Sequence, residues 1–193
     1  NNLLLKFLLK QLSIGEYDCL IFDLIEDIDS AICFCKKYPL LFNMDYIYEE
    51  NEDILGLIYI SCKNIGNRKA TGSYYTSTKV VRKLISKLDF QENQKILDPC
   101  CGTGNFLLQL PEHISFDKVY GNDIDTASVK ITRLNIALKY CVSITAIYEH
   151  ITELNYLLNY NIHDFQYIIG NPPWGYEFSE EEKSDLRTLF KSA

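Results

Sequence analysis

The stretch Lys95-Ile-Leu97 followed by Asp98-Pro-Cys-Cys-Gly102-Thr-Gly104-Asn-Phe-Leu107 restricts the fold more than any other part of the chain. A short apolar strand that meets an acid, turns on two glycines and resumes as an apolar helical run reads as a β–turn–α unit. The glycines let the backbone turn tightly and approach a ligand with no side chain in the way. The helix that follows presents free N–H groups at its start. Leu107 stands where a dinucleotide-binding turn would carry its third glycine. The acidic Asp98 ahead of the turn suits a cationic ligand better than a pyrophosphate.

The rhythm continues downstream. Lys118–Asn122 reads as a second strand, followed by a helix with Ala127, Ile131, Leu134 and Leu138 on one face. Ser143–Tyr148, rich in β-branched residues, reads as a third strand, and Phe165–Ile169 as a fourth that ends at Gly170. Strands alternating with helices predict an α/β fold, a parallel sheet with helices on its faces. Ligands of such sheets bind beyond the carboxyl ends of the strands.

Upstream the pattern is helical to about Asn64. Leu20, Leu24, Ile28 and Ile32 form one apolar stripe, Ile54, Leu57 and Ile58 a second, and Pro39 marks a break between them. No recognisable chemistry stands out here. The chain thus divides into a helical region, 1–70, and a strand-containing region, 71–193. Ile65 to Tyr75 is a turn-rich bridge with Gly66, Gly72 and Ser73. Beyond it Thr76 or Ser77 can cap a helix whose apolar face is Val81, Leu84, Ile85 and Leu88.

Composition excludes several classes. Seven cysteines with no paired spacing argue for a reducing compartment and against both a disulfide framework and a zinc site. They are expected to be small, mostly buried side chains, and no metal is expected. Nothing reaches the run of roughly eighteen apolar residues that a membrane helix needs, so no membrane partner is expected and the cytoplasm is the expected location. The net charge of −7 has the wrong sign for a domain that holds nucleic acid by its own electrostatics.

Three further positions carry chemistry. Gly121-Asn-Asp123-Ile-Asp125 closes the second strand, where Asp123 can accept both hydroxyls of a ribose, Ile124 can pack against an adenine ring and Asp125 can cap the next helix. Glu149, read as lying just past the third strand, can accept a hydrogen bond from an adenine amino group, with Glu153 and Asp164 as neighbouring candidates. Asn171-Pro-Pro-Trp174 follows the fourth strand. Pro172 and Pro173 stiffen this loop and remove two backbone donors. The Asn171 side-chain oxygen and the Pro172 carbonyl can together accept both hydrogens of a planar –NH2, drawing its nitrogen toward a tetrahedral, nucleophilic geometry. Trp174 offers a flat face on which an extruded base can stack.

Taken in this order, from Gly72 to Trp174, the motifs resemble the N6-adenine DNA methyltransferases of the gamma arrangement, which include type I modification subunits and the methylase part of type II restriction–modification fusions. Gly72-Ser-Tyr-Tyr-Thr76-Ser77 looks like the family's leading motif, with Ser77 where proline is usual. The resemblance implies a Rossmann-like fold for S-adenosylmethionine-dependent methyl transfer, with a helical N-terminal extension. It implies that Tyr75, Thr76, Asp98, Cys100, Gly102, Gly104, Asp123, Ile124 and Glu149 bind S-adenosylmethionine. It implies that Asn171, Pro172, Pro173 and Trp174 form the catalytic tetrapeptide. The family's sheet has further strands and a recognition domain, and the chain stops nineteen residues after Trp174, so truncation after the fourth strand is expected. The implied activity is methylation of adenine N6 in DNA within a restriction–modification system. DNA would be gripped by a recognition domain outside these residues, with a specificity subunit or a fused endonuclease and target-recognition domain as partner. The piece alone is expected to methylate DNA poorly or not at all.

Protein-glutamine and ribosomal RNA guanine-N2 methyltransferases share the tetrapeptide, but the leading motif and Trp174 argue against them. An inactive cofactor-binding fragment docking on partner domains is the non-enzymatic alternative. A dehydrogenase leaves Asn171–Trp174 unexplained.

Overall fold

The computed structural model describes residues 17–25, 27–39, 49–62, 75–159 and 164–190. At its centre are four parallel strands, β1 (Ile96–Asp98), β2 (Val119–Asp123), β3 (Ile151–Glu153) and β4 (Tyr167–Ile168), in the order β3-β2-β1-β4. Ile96 pairs with Val119 on one side and Tyr167 on the other, and Gly121 pairs with Ile151. The helices are α1 (Asp18–Leu24), α2 (Ile28–Lys37), α3 (Ile54–Cys62), α4 (Thr78–Ile85), α5 (Asn105–Leu108), α6 (Thr126–Tyr140), α7 (Ile144–His150), α8 (Tyr156–Asn159) and α9 (Glu180–Leu189). This is the Rossmann-like α/β arrangement. Ile96, Val119 and Ile151 are completely buried, as expected of parallel strands covered on both faces.

Strands β1, β2 and β4 fall inside or within one residue of the stretches read from sequence. The third does not. Ser143–Tyr148 is not a strand: the Ser143 hydroxyl accepts the Ala146 N–H at 3.3 Å and starts α7. β-Branching is a weak prior, and here the cap and the burial of Ile147 outweigh it. The strand itself is Ile151–Glu153, entered directly from the end of α7.

Helix α6 was expected to bury a single face. Its buried residues, among them Val129, Ile131, Leu134, Ile136 and Ala137, instead run most of the way round. It touches β2, β3 and α7, and also α1 and α3. Leu20, Ile21, Leu24 and Leu55 from those two helices join the same hydrophobic core as the sheet residues. The N-terminal stripes are therefore only partly as read. Ile32 and Leu57 are exposed, and in α3 it is Leu55 that enters the hydrophobic core. In α4, Val81 and Ile85 are buried while Leu84 and Leu88 are exposed. Ser77 occupies the cap position of α4 without a side-chain cap bond.

The cysteine expectation also needs correcting. Among the described thiols Cys101 is buried and Cys100 half-buried, whereas Cys19, Cys33 and Cys141 are exposed. Cys19 lies on the outward side of a helix that buries Leu20, Ile21 and Leu24. The bridge expected over 65–75 lies outside the described residues except for Tyr75. No described helix is long and apolar enough to cross a membrane.

Two polar staples hold a strand end and a helix end. Asn122, buried at the end of β2, donates to the carbonyls of Pro99 (3.2 Å) and Leu154 (3.1 Å) and accepts the Thr152 hydroxyl (2.9 Å). Lys139 of α6 donates to the carbonyls of Leu107 (3.3 Å), Leu108 (2.7 Å) and Leu110 (2.7 Å), capping the short α5. Carbonyls at a helix end need such partners. Lys139→Met keeps the aliphatic stem but strips three carbonyls of a charged donor. Urea denaturation is expected to show a loss of about 1.5–3 kcal/mol.

Candidate active site

The strand order reverses direction between β1 and β4, and a parallel sheet opens a crevice at such a point beyond its carboxyl ends. Asp98 ends β1, Asp123 ends β2, Glu153 ends β3 and Gly170-Asn171 follow β4.

After β1 the chain turns through Gly102 (φ +54°) and Gly104 (φ +89°), left-handed conformations that favour glycine. The turn is fastened to β2: the Cys101 N–H donates to the Asn122 carbonyl at 2.8 Å and the Gly102 N–H to Asp123 Oδ2 at 2.8 Å. Asp123 Oδ1 accepts the Asp125 N–H at 2.9 Å. A carboxylate offers roughly four acceptor positions, so Asp123 keeps capacity for an external donor. Ile124 beside it is exposed. Asp125 stands at the start of α6, but its carboxylate takes the hydroxyls of Ser128 (2.7 Å) and Tyr59 (2.8 Å) rather than making a backbone cap.

Asp98 is the most unusual group. It is 1% exposed, its Oδ1 accepts the Cys100 N–H at 3.2 Å, and its Oδ2 is buried without a hydrogen-bond partner. Burial pushes its carboxyl up to about 8, assisted by the nearby charge of Asp123 and opposed by the Cys100 N–H. Burial also raises the Asp123 carboxyl. The neighbouring Cys100 thiol is pushed up to about 11 by burial and by these two acids, so it stays protonated and unreactive at neutral pH. Gly170 (φ +140°) lies against Asp98, and any Cβ there would collide with Asp98 Oδ1.

Asn171, next in the chain, is tied to the segment before α4. Its amide donates to Thr76 Oγ1 at 3.2 Å, and its Oδ1 accepts the Trp174 indole N–H at 3.0 Å. The Thr76 carbonyl accepts Asn105 Nδ2 at 2.6 Å, and Asn105 Oδ1 accepts the Thr78 hydroxyl at 3.3 Å. The Tyr75 hydroxyl lies 3.3 Å from that of Thr78. Thr76 thus links the first residue of α5 to the Asn171 loop. Pro172 and Pro173 are exposed, and Trp174 is 72% exposed.

The structure brings Tyr75, Thr76, Asp98, Cys100, Gly102, Gly104, Asp123 and Ile124 to the strand ends with the Asn171–Trp174 loop. Glu149 is the exception: it is an exposed residue inside α7, ahead of β3 rather than past it. Its placement rested on the strand that proved to be α7. The acid at the end of β3 is Glu153, which accepts the Thr126 hydroxyl at 2.7 Å. Asp164 is exposed on the approach to β4.

Sequence reading missed Asp53, which is 1% exposed and accepts hydrogen bonds from the Thr103 hydroxyl, from Asn135 Nδ2 (2.8 Å) and from the Gly56 N–H (2.8 Å). Burial and the charge of Glu52 push its carboxyl up to about 6 against the pull of these donors. The one local signal was an aspartate immediately before an apolar run, the mark of a helix cap.

A parallel sheet with a glycine turn after its central strand, carboxylates at adjacent strand ends and a proline-braced asparagine loop at the switch point defines a Rossmann-like α/β domain. The chain belongs to the N-6 DNA Methylase family, which matches residues 50–192. A methyl-donor cofactor is typical of that family. Relatives include the type II methyltransferase M.VspI of Vibrio sp. (strain 343), 28% identical over 72% of this chain and 34% of that protein. The type I restriction enzyme MjaVII methylase subunit of Methanocaldococcus jannaschii is 26% identical over 63% of this chain and 22% of that protein. The chain thus spans about a third or less of these relatives. A cryo-EM structure of a DrdV–DNA complex aligns with 60% of this chain and 14% of that one, at 21% identity and a TM-score of 0.46.

The carboxyl of Asp98 moves from an ordinary 3.8 to about 8 on folding, so the folded state holds the proton longer and stability falls as pH rises across that window. Asp53 acts in the same sense up to about 6. Asp98→Asn is therefore expected to remove most of the decline between about pH 6 and pH 8, read from urea midpoints at each pH.

Proposed function

We propose that this chain is the cofactor-binding and catalytic part of an S-adenosylmethionine-dependent methyltransferase that modifies the N6 amino group of adenine in DNA, within a restriction–modification system. The observation that carries the reading is the juxtaposition at the β1/β4 switch point. A buried carboxylate with an unpartnered oxygen lies directly against the glycine that leads into the Asn171-Pro-Pro-Trp174 loop.

The donor set suits this cofactor. Asp98 Oδ2 lacks a partner, and a cation is the natural complement to a desolvated carboxylate. The space beside Gly102 is open, with no atom within 4 Å of where a Cβ would stand. Tyr75, Thr76, Asp98, Cys100, Gly102 and Gly104 would hold the methionine end, Asp123 the ribose hydroxyls and Ile124 the adenine ring. When bound, the cofactor supplies a methyl group on a sulfonium, which departs as a neutral thioether.

The chain's own residues prepare the acceptor. Asn171 Oδ1 and the Pro172 carbonyl accept the two N6 hydrogens and localise the nitrogen lone pair toward the methyl. The Asn171 oxygen has two acceptor positions, one of which holds the Trp174 indole N–H. The Thr76 hydroxyl accepts the amide N–H and so fixes which end of the amide is left as the acceptor. Neither carbonyl is basic enough to keep a proton, so the proton released from the methylated nitrogen passes to solvent. Trp174 stacks on the extruded base, a contact worth roughly 1–3 kcal/mol.

The net charge of −7 supports a grip on DNA that lies in a recognition region outside these residues, either in a specificity subunit or in a fused target-recognition domain with or without an endonuclease. The test uses the full-length protein with methyl-labelled S-adenosylmethionine and equal amounts of DNA, ribosomal RNA and release factor. Label is expected on adenine N6 of DNA. Asn171→Ala is expected to lower kcat at least about 100-fold while leaving cofactor affinity within about threefold of wild type. Label on protein or RNA overturns the substrate.

A further inference from the structure

Helix α3 lies upstream of every motif that carries the functional reading, yet two of its polar contacts end on the two loops that the reading gives to the cofactor. At its start, Asp53 Oδ2 accepts the hydroxyl of Thr103, the residue between the two turn glycines, and Asp53 Oδ1 accepts Asn135 Nδ2 at 2.8 Å. The same Asn135 amide donates to the Thr103 carbonyl at 2.8 Å, so side chain and backbone of the turn are held together. Gly56, one turn on, is pressed against this cluster, and a Cβ there would collide with the oxygens of both Asp53 and Thr103. Further along α3, the Tyr59 hydroxyl donates to Asp125 Oδ2 at 2.8 Å. Asp125 in turn donates its N–H to Asp123, which holds the Gly102 N–H.

The start of α3 is itself anchored. Gln109 Nε2 donates to the Asn51 carbonyl at 2.5 Å, and Arg82 pairs with Glu52 at 3.0 Å and with Gln109 at 2.8 Å. Asp53 and Tyr59 are six residues apart, roughly 9 Å along a helix axis. That span is carried by a rigid rod rather than by loop backbone.

We infer that helix α3 is a positioning element of the cofactor site, with Asp53 holding the glycine turn and Tyr59 holding the loop after β2, so that the helix sets the separation of the two loops. This inference rests on the cofactor reading above. Asp53 and Tyr59 act through Thr103 and Asp125 and do not touch the cofactor. A helix that merely packs would alter the fraction of folded protein. A helix that sets loop spacing alters the affinity of the protein that is folded.

The experiment compares the full-length wild type with Tyr59→Phe, Thr103→Val and Thr103→Ser. The first two each remove one of the holding hydroxyls and the last retains it. Equilibrium binding of S-adenosylmethionine, steady-state kinetics and thermal unfolding are read on each. Tyr59→Phe and Thr103→Val are expected to raise both Kd and KM for S-adenosylmethionine about tenfold, the loss of one hydrogen bond to a carboxylate. The kcat at saturating cofactor is expected to hold, and Thr103→Ser to bind like wild type. If the wild type binds the cofactor and the folded variants bind it as tightly, α3 is packing only and the inference is overturned. If the wild type does not bind it at all, the cofactor reading falls and takes this inference with it.

Discussion

A carboxylate buried at the end of the central strand, with too few donors around it, governs the geometry at the sheet's carboxyl edge. Taking Asp98 out of water is costly unless its oxygens are satisfied. The chain supplies one N–H, from Cys100, and directs the two that follow elsewhere, that of Cys101 to the Asn122 carbonyl and that of Gly102 to Asp123. Gly170 closes over the acid because a larger residue would collide with it. The remaining oxygen is thereby kept dry and without a donor. The raised carboxyl of Asp98 is the electrostatic trace of that arrangement.

What surrounds Asp98 comes from segments far apart in sequence. Thr76, ahead of α4, reaches the Asn171 loop after β4, and Asn105 of α5 holds Thr76 in turn. Helices α1 and α3 meet the sheet through α6, which is buried on most sides for that reason. The change of sequence rhythm near residue 70 is therefore not a boundary of the core, which Leu20 and Leu55 share with Ile96 and Val119. The family match, starting at residue 50, takes in α3 along with the sheet.

The legible parts of the sequence were those whose physics is local. A glycine turn, a proline-braced loop and an acid at a strand end announce themselves in consecutive residues, and β1, β2 and β4 followed from short apolar runs beside them. The third strand was obscured by Ser143-Ile-Thr-Ala-Ile147, whose β-branched content reads as extended while its serine caps a helix. Glu149 was misplaced along with that strand. Asp53 and Tyr59 were silent for a different reason. Their partners, Thr103 and Asp125, lie 50 and 66 residues away, and no periodicity encodes a hydrogen bond over that distance.

Trp174 is the sole tryptophan of the chain, and its indole N–H bonds the asparagine at the head of its own loop. An indole that exchanges this bond for water or for a stacked base changes its emission. The protein therefore carries a built-in optical probe within the Asn171–Trp174 loop itself. Excitation at the red edge, where the fourteen tyrosines do not absorb, isolates that signal, so the state of this one hydrogen bond can be read without attaching a label.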